Sequence, residues 1–124
     1  MTAVREVMTE QLVTVEPSTS VAAAVTVMGI QRVGAVLVME DARLEGIFTE
    51  RDLVRALSYD ISAASQLVGQ WMTQNPVTVS PEATVEQALE IMLAGHFRHL
   101  PVTEGESLVG IVSIRDLSRA TLHE

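Results

Sequence analysis

The sequence predicts an α+β (mixed α/β) fold in which a β-α-β-β-α half occurs twice. Residues 46–53 read GIFTERDL, and residues 110–117 read GIVSIRDL, 64 positions later. The register between the two copies never slips, since Met8-Thr9 aligns with Met72-Thr73 without an insertion. The hydrophobic period also changes in the same order in each copy. Because a duplicated unit rarely buries its apolar face alone, we expect the two halves to pack together as one module.

The first half is predicted to run from a short strand to a helix, a strand pair and a second helix. Residues 13–15 read Val-Thr-Val, an alternation typical of a strand. A helix is predicted over 20–29, where apolar residues recur at helical spacing. Two strands are predicted over 34–39 and 44–48, and a helix over 50–58.

A connecting segment, residues 59–70, is predicted to form a short helix between the halves. It leads into Trp71, which aligns with Val7 and is expected to pack where the linker enters the second half. We divide the chain accordingly into a first repeat, residues 1–60, and a linker with the second repeat, residues 61–124.

The second half repeats the same order of elements. Thr84 and Gln87 have the spacing of a capping box, which predicts a helix start, and Gly95 is a plausible stop. The preceding strand is predicted over 77–79. The remaining elements are strands over 100–102 and 108–112, a hairpin turn over 104–107, and a final helix that contains Leu117, Ala120 and Thr121.

Composition and charge exclude several classes of function. The net charge of −8 disfavours nucleic acid as a partner. The chain has no cysteine, which excludes disulfides and thiolate chemistry. The longest apolar run is too short for a membrane span, so we expect a cytoplasmic protein. No phosphate-cradling GxxxxGK[ST] loop occurs, and His96 and His123 lack a second ligand at metal-binding spacing, so we expect neither catalytic residues nor a metal site.

The ordered set of motifs resembles a pair of cystathionine β-synthase (CBS) domains, also called a Bateman module. Each half opens with Met-Thr and Val-Thr-Val and closes with Gly-Ile-x-[Thr/Ser]-x-Arg-Asp-Leu, and residues 98–102 read RHLPV. The resemblance implies two pseudo-symmetric CBS repeats packed through their sheets, with two related clefts. It also implies an adenosine-containing ligand, such as AMP, ADP, ATP or S-adenosylmethionine, a homodimer, and a regulatory role without a required cofactor.

A hydroxyl and a carboxylate stand at the end of the Gly-Ile phrase in both halves. Thr49 and Asp52 lie where a strand ends and a helix begins, as do Ser113 and Asp116. Such a corner offers free backbone N–H groups, and an ionised Asp is purely an acceptor, which suits the two hydroxyls of a ribose. The same spacing is that of a capping box, so helix stability alone also explains these residues.

By the geometry that the resemblance implies, each ribose-binding Asp works with the first strand of the other half and with the residues just before that half's second strand. The stronger site is predicted to hold a phosphorylated adenosine, because a guanidinium binds phosphate through two hydrogen bonds and His adds a donor. The alternative for Arg98 and His99 is that they are solvated residues ahead of a strand. The predicted stronger site comprises Ile47, Thr49, Asp52, Pro76, Val77, Arg98, His99 and Arg115.

The second site lacks cationic side chains at the positions equivalent to Arg98 and His99, which are Gly34 and Ala35. It is therefore expected to be weak, empty or suited to a less charged adenosyl compound. The predicted weaker site comprises Leu12, Val13, Gly34, Ala35, Ile111, Ser113 and Asp116.

Two functional hypotheses remain open. The first is a non-catalytic sensor that binds an adenosyl ligand and acts through an unidentified protein partner or through its assembly state. The second is a dimeric scaffold whose ligand clefts are vestigial.

Overall fold

The structure is a computed structural model that describes residues 1–123, and it contains two compact units. The central unit is Val13–Pro76. The terminal unit combines Met1–Leu12 with Val77–Glu124. The mixture of helices and strands confirms the predicted fold class.

The central unit contains a four-stranded sheet in the order β1-β2-β3-β4. Strand β1 pairs with β2 in parallel, whereas the β2-β3 and β3-β4 pairs are antiparallel. The elements are β1 (Thr14–Val15), α1 (Val21–Gln31), β2 (Ala35–Glu40), β3 (Arg43–Thr49), α2 (Glu50–Tyr59), a 3-10 helix (Ile61–Ser65), α3 (Val68–Trp71) and β4 (Thr73–Gln74).

The terminal unit has the same arrangement with shorter flanking strands. The antiparallel hairpin β5-β6 is flanked by two single bridges, in which Val79 pairs in parallel with Val102 and Thr9 pairs antiparallel with Ile111. The elements are a 3-10 helix (Val4–Glu6), α4 (Val85–Gly95), β5 (His99–Glu104), β6 (Ser107–Ser113) and α5 (Ile114–Leu122).

The cores of the two units use equivalent residues, including Val4 in the terminal unit and Val68 in the central unit, both fully buried. The compact units therefore do not follow the order of the sequence repeats. The segment before β1 completes the core of the second repeat, and the segment after the Ile61–Ser65 helix completes the core of the first. Each core therefore needs an apolar side chain from the segment that precedes the other repeat, Val4 for the second repeat and Val68 for the first.

The glycine of the repeated Gly-Ile phrase is required by a close approach of these segments. A Cβ on Gly46 would lie 2.7 Å from both the Met72 sulfur and the Thr73 carbonyl oxygen. A Cβ on Gly110 would lie 2.8 Å from the Met8 sulfur and 3.0 Å from the Thr9 carbonyl oxygen. The repeated Met-Thr and Gly-Ile motifs are therefore two sides of one contact that occurs once in each unit.

Most predicted elements are confirmed. The differences are in the end of α1 and in the first strand of the second repeat. Helix α1 continues past Gly29 to Gln31. It ends at Arg32, which adopts the left-handed conformation with φ of 58°. The capping box of Thr84 and Gln87 forms as predicted, with hydrogen bonds of 2.9 and 3.0 Å. The strand predicted over 77–79 forms only the bridge at Val79.

The predicted location of Trp71 is wrong, because Trp71 belongs to the central unit and packs against the core of the first repeat. The connecting segment forms two short helices instead of one, Ile61–Ser65 and α3. Strand β4, which begins two residues after Trp71, was not predicted, since Thr73–Gln74 is too short to show an alternation.

Candidate functional site

The corner between β3 and α2 is closed by a reciprocal capping box. The backbone N–H of Thr49 donates to Oδ2 of Asp52 over 2.9 Å, and the Thr49 hydroxyl donates to the same oxygen over 3.2 Å. The N–H of Asp52 donates in return to Oγ1 of Thr49 over 3.3 Å. Thr49 is thus the residue that ends the strand and caps the helix, as the spacing of the two residues predicts.

The second carboxylate oxygen of Asp52 is also occupied. The hydroxyl of Thr73 donates to Oδ1 over 3.3 Å, and Nη2 of Arg55 donates to it over 3.4 Å. Asp52 is 5% exposed and is the one charged side chain that is buried among residues 1–123. A buried carboxylate requires such partners, because an unpaired charge away from water is strongly unfavourable.

Arg55 is held in place by Trp71. Its Nη2 donates to the Trp71 carbonyl oxygen over 2.7 Å, and its guanidinium carbon lies 5.4 Å from the centre of the Trp71 ring. The indole N–H of Trp71 donates to the side-chain oxygen of Gln66 over 2.9 Å, and the Tyr59 ring lies 6.0 Å away. These contacts tie α2 to the segment 66–74.

The corner between β6 and α5 has the same capping box with fewer additional partners. The N–H and hydroxyl of Ser113 donate to Oδ2 of Asp116 over 3.0 and 2.9 Å, and the N–H of Asp116 donates to the Ser113 hydroxyl oxygen over 3.1 Å. Both donors of Ser113 bind the same carboxylate oxygen, Oδ2. Asp116 is half-buried, whereas Asp52 is buried.

The residues before β2 and β5 lie beside the corner of their own unit. In the central unit, the Gly34 carbonyl oxygen accepts from the N–H of Glu50 over 3.0 Å, and Ala35 pairs with Thr49. In the terminal unit, the Arg98 carbonyl oxygen accepts from the N–H of Ile114 over 2.8 Å. His99 pairs with Ser113. The start of β2 and the β3-α2 corner therefore lie together at one end of their sheet. The start of β5 and the β6-α5 corner do the same in the terminal unit.

Each predicted site combines residues of both compact units, and each remains a prediction in that respect. Of the stronger site, the central unit contains Ile47, Thr49, Asp52 and Pro76, and the terminal unit contains Val77, Arg98, His99 and Arg115. Of the weaker site, the terminal unit contains Leu12, Ile111, Ser113 and Asp116, and the central unit contains Val13, Gly34 and Ala35.

Exposure separates the predicted residues into two kinds. Arg98 and Arg115 are exposed, so both guanidinium groups are available to an anion. Val77 is 46% exposed, whereas Ile47 is 6% exposed. Ile47 pairs with Leu37 on one side and Thr73 on the other, so it lies inside the sheet between two neighbouring strands.

Sequence reasoning missed Arg55 and Thr73 as partners of Asp52, and Trp71 as the partner of Arg55. Arg55 has an equivalent in Arg119 and Thr73 in Thr9, so the two pairs were visible in the alignment of the halves. Trp71 has no aromatic equivalent in the other half, where Val7 occupies the aligned position. Its contact with Arg55 joins residues 16 positions apart in an irregular segment, and no periodic pattern predicts such a contact.

The described part of the chain has neither a metal-binding cluster nor a membrane-spanning helix. Among residues 1–123, no cluster of three or more His, Cys, Asp or Glu side chains is arranged to hold a metal ion. No helix in that part of the chain is long and apolar enough to span a membrane.

Comparison with known proteins identifies the family. The CBS domain model matches twice, over residues 4–59 and 68–123. A crystal structure of a CBS-domain containing protein from Agrobacterium tumefaciens is 38% identical, with a TM-score of 0.93, and the match covers 97% of this chain and 99% of that one.

Two further solved structures share the fold and contain adenosine compounds. CBSX2 of Arabidopsis thaliana in complex with AMP is 31% identical, with a TM-score of 0.85, over 99% of this chain and 98% of that one. The CBS domain pair of protein MJ0100 was solved in complex with 5′-methylthioadenosine and S-adenosyl-L-methionine. It is 22% identical, with a TM-score of 0.91, over 99% of this chain and 98% of that one.

Proposed function

Because the chain belongs to the CBS domain family, we propose that it is a non-catalytic regulatory module that binds an adenosine-containing ligand in the cytoplasm. The ligand is AMP, ADP, ATP or S-adenosylmethionine. The output is a change in the packing of the two repeats or in a contact with another protein. A ligand produces such a change only if it binds the two arrangements with different affinities.

The observation that carries the proposal is the duplicated strand-to-helix corner with its half-buried or buried aspartate. In each corner, a carboxylate lies at the first turn of a helix, next to the hydroxyl that caps it. A carboxylate accepts hydrogen bonds from both hydroxyls of a ribose, and the helix N-terminus favours a phosphate. The adenosine compounds in two solved relatives of this fold are consistent with that chemistry.

We propose two ligand sites of unequal strength, with the residue sets given above. In the stronger one, Asp52 binds the ribose, the backbone of Pro76 and Val77 meets the adenine edge, and Arg98, His99 and Arg115 bind the phosphate. In the weaker one, Asp116 binds the ribose, and Gly34 and Ala35 offer no cation to a phosphate. A ligand without a phosphate is expected to lose less affinity at the weaker site.

A thermal-shift series with the four ligands tests the binding function. A ligand that binds only the folded state at 100 times its dissociation constant stabilises it by about 2.7 kcal/mol, which raises the melting temperature by several degrees. Unchanged melting temperatures with all four ligands, in the millimolar range, would refute the proposal.

Calorimetric titration with AMP then tests the ranking of the sites. Because Arg98 and His99 are assigned to the Asp52 site, Asp52→Ala should weaken AMP binding more than Asp116→Ala does. The double variant Arg98→Ala, His99→Ala should weaken AMP more than adenosine, since only AMP has the phosphate. A larger loss in Asp116→Ala would reverse the ranking while leaving the binding function intact.

Exposed apolar side chains on the central unit favour the alternative of a dimeric scaffold. Val54 is 66% exposed, Tyr59 84% and Ile61 79%, and large apolar groups are rarely left exposed together without a partner surface. The proposed partner is a second copy of the chain. Light scattering after size-exclusion chromatography tests this. The double variant Val54→Glu, Tyr59→Glu should be a monomer under conditions in which the wild type is a dimer. A wild-type protein that stays monomeric at the highest concentration measured contradicts the scaffold.

A further inference from the structure

The second oxygen of Asp52 is the group that a ribose needs, and in this structure it is already bound within its own unit. Oδ2 is used by the capping box, so Oδ1 is the oxygen left for a ligand. Thr73 and Arg55 both donate to Oδ1. We name the set Arg55, Trp71 and Thr73 the Asp52 clamp.

The clamp is held mainly through Trp71. The bond from Arg55 to the Trp71 carbonyl oxygen is 2.7 Å, shorter than the 3.4 Å bond from Arg55 to Asp52. The guanidinium is planar and presents several N–H groups at fixed angles, so one group can bind the carbonyl oxygen and the carboxylate together while stacking on the indole. Trp71 thus fixes the position from which Arg55 reaches Asp52.

The equivalent residues of the terminal unit do not form a clamp. Arg119 aligns with Arg55 and Thr9 with Thr73, but Val7 replaces the tryptophan. A valine offers no ring on which a guanidinium can stack. Within residues 1–12 and 77–123, neither Arg119 nor Thr9 donates to the side chain of Asp116. Asp52 is therefore bound by the arginine and the threonine of its clamp, and Asp116 is bound by neither equivalent residue.

We propose that the Asp52 clamp regulates the ligand site of the first repeat: a ribose binds Asp52 only after Arg55 and Thr73 have released Oδ1. The proposal rests on the adenosyl-binding function proposed above. A site whose competent state is rarely populated shows an apparent affinity reduced by that population. Removing the clamp should therefore tighten binding, whereas a purely structural role for Arg55 predicts no gain.

Release of the clamp also couples ligand binding to the conformation of the segment 66–74. When Arg55 leaves Asp52, its contacts with the Trp71 carbonyl oxygen and ring have to change, because the same guanidinium makes all three. Trp71 is bound to Gln66 and contacts Tyr59, so the change reaches the end of α2 and the connecting segment. Those elements carry the exposed side chains of Tyr59 and Ile61.

The test measures adenosine binding by calorimetry in an Asp116→Asn background, which isolates the first site. Adenosine has no phosphate, so removing a positive charge does not weaken a charge attraction to it. Arg55→Ala should raise the affinity about three- to tenfold, as expected if the released state is a minor population. Thr73→Val should raise it by a smaller factor. Arg119→Ala is the matched control and should leave it unchanged.

Each outcome of this titration decides the matter. Unchanged or weaker adenosine binding in both Arg55→Ala and Thr73→Val contradicts the clamp, as does an equal gain in Arg119→Ala. Arg55→Lys separates charge from geometry. An ammonium keeps the positive charge but lacks the planar set of N–H donors, so the affinity for adenosine should rise less than in Arg55→Ala. If no protein of the series binds adenosine or AMP, the proposed function fails together with the clamp; binding by wild type without the gain refutes the clamp alone.

A second measurement uses the fluorescence of Trp71, the single tryptophan of the chain. Adenosine should change the emission of the Asp116→Asn protein, because the guanidinium leaves the indole ring. The change should be lost in Arg55→Ala, even though that variant binds more tightly. An equal change in both proteins would show that the ligand affects Trp71 without moving Arg55, and would overturn the mechanism.

Discussion

The Asp52 and Asp116 corners have the same backbone design and differ in what reaches the second carboxylate oxygen. Both close a capping box with the Thr or Ser three residues earlier. Only Asp52 also binds a threonine and an arginine of its own unit. One difference in sequence between the corners is Trp71 against Val7, since the aromatic ring holds Arg55 near the carboxylate. A duplicated fold can thus keep the same capping box in both copies and differ in the side chains that reach its aspartate.

The largest expected effect tests the symmetry of the backbone. A methyl group on Gly46 or Gly110 would collide with a methionine sulfur and a carbonyl oxygen of the neighbouring strand segment. Overpacking against backbone costs about 1–3 kcal/mol, and we expect both Gly→Ala variants at the upper end. Urea unfolding measures the change.

Gly29 provides the matched control for these two variants. It lies in α1 with nothing within 4 Å of an added Cβ. Gly29→Ala should therefore stabilise the protein by about 1 kcal/mol, since alanine favours a helix interior. A loss confined to Gly46→Ala, with Gly110→Ala neutral, would show that the contact is not shared by the two units.

How far the sequence predicts this architecture depends on the length of the pattern. The repeat at a fixed spacing and the changes of period predict the order of elements, because they extend over many residues. The exchange of segments between the repeats was not predicted. Val4 and Val68 are single buried side chains in short helices, and a single apolar residue gives no periodic signal.

The candidate site was predicted in part for the same reason. The spacing of Thr49 and Asp52 predicts both a cap and an acceptor, and the structure shows the cap. The partners on Oδ1 depend on where β4 brings Thr73, and on the direction of the Arg55 side chain. Neither is set by local sequence preference, so the sequence alone predicts neither contact.

The next effect compares the two aspartates as structural residues. Asp52→Ala removes the acceptor of four donor groups in a site that is 5% exposed, which should cost about 2–3 kcal/mol. Asp116→Ala removes a capping partner in a half-buried corner and should cost about 1 kcal/mol. Chemical denaturation without ligand measures both, and equal losses would mean that the additional partners of Asp52 contribute nothing to stability.

A smaller effect isolates the arginines. Arg55 has a 56% exposed side chain, so its ion pair with Asp52 is partly screened, and its stacking on Trp71 is that of a partly exposed pair. Arg55→Ala should lower the free energy of unfolding by about 1 kcal/mol. Arg119→Ala should change it by less than about 0.5 kcal/mol, the usual range for exposed substitutions. Raising the salt concentration should narrow this gap, because screening weakens the ion pair.

The smallest effect concerns the hairpin turns. Here the central unit has residues with a Cβ at positive φ, whereas the terminal unit has a glycine. In the β2-β3 turn, Asp41 and Ala42 have φ of 52° and 66°, whereas the β5-β6 turn places Gly105 at φ of 62°. A residue with a Cβ is strained in this left-handed region, and glycine is not. Ala42→Gly should therefore stabilise the protein by about 0.5 kcal/mol, and Gly105→Ala should destabilise it by at least as much. Nothing lies within 4 Å of a Cβ added at Gly105, so a loss there measures backbone strain rather than a collision. A destabilised Ala42→Gly variant would indicate that the greater flexibility of glycine in the unfolded chain outweighs the strain that it relieves.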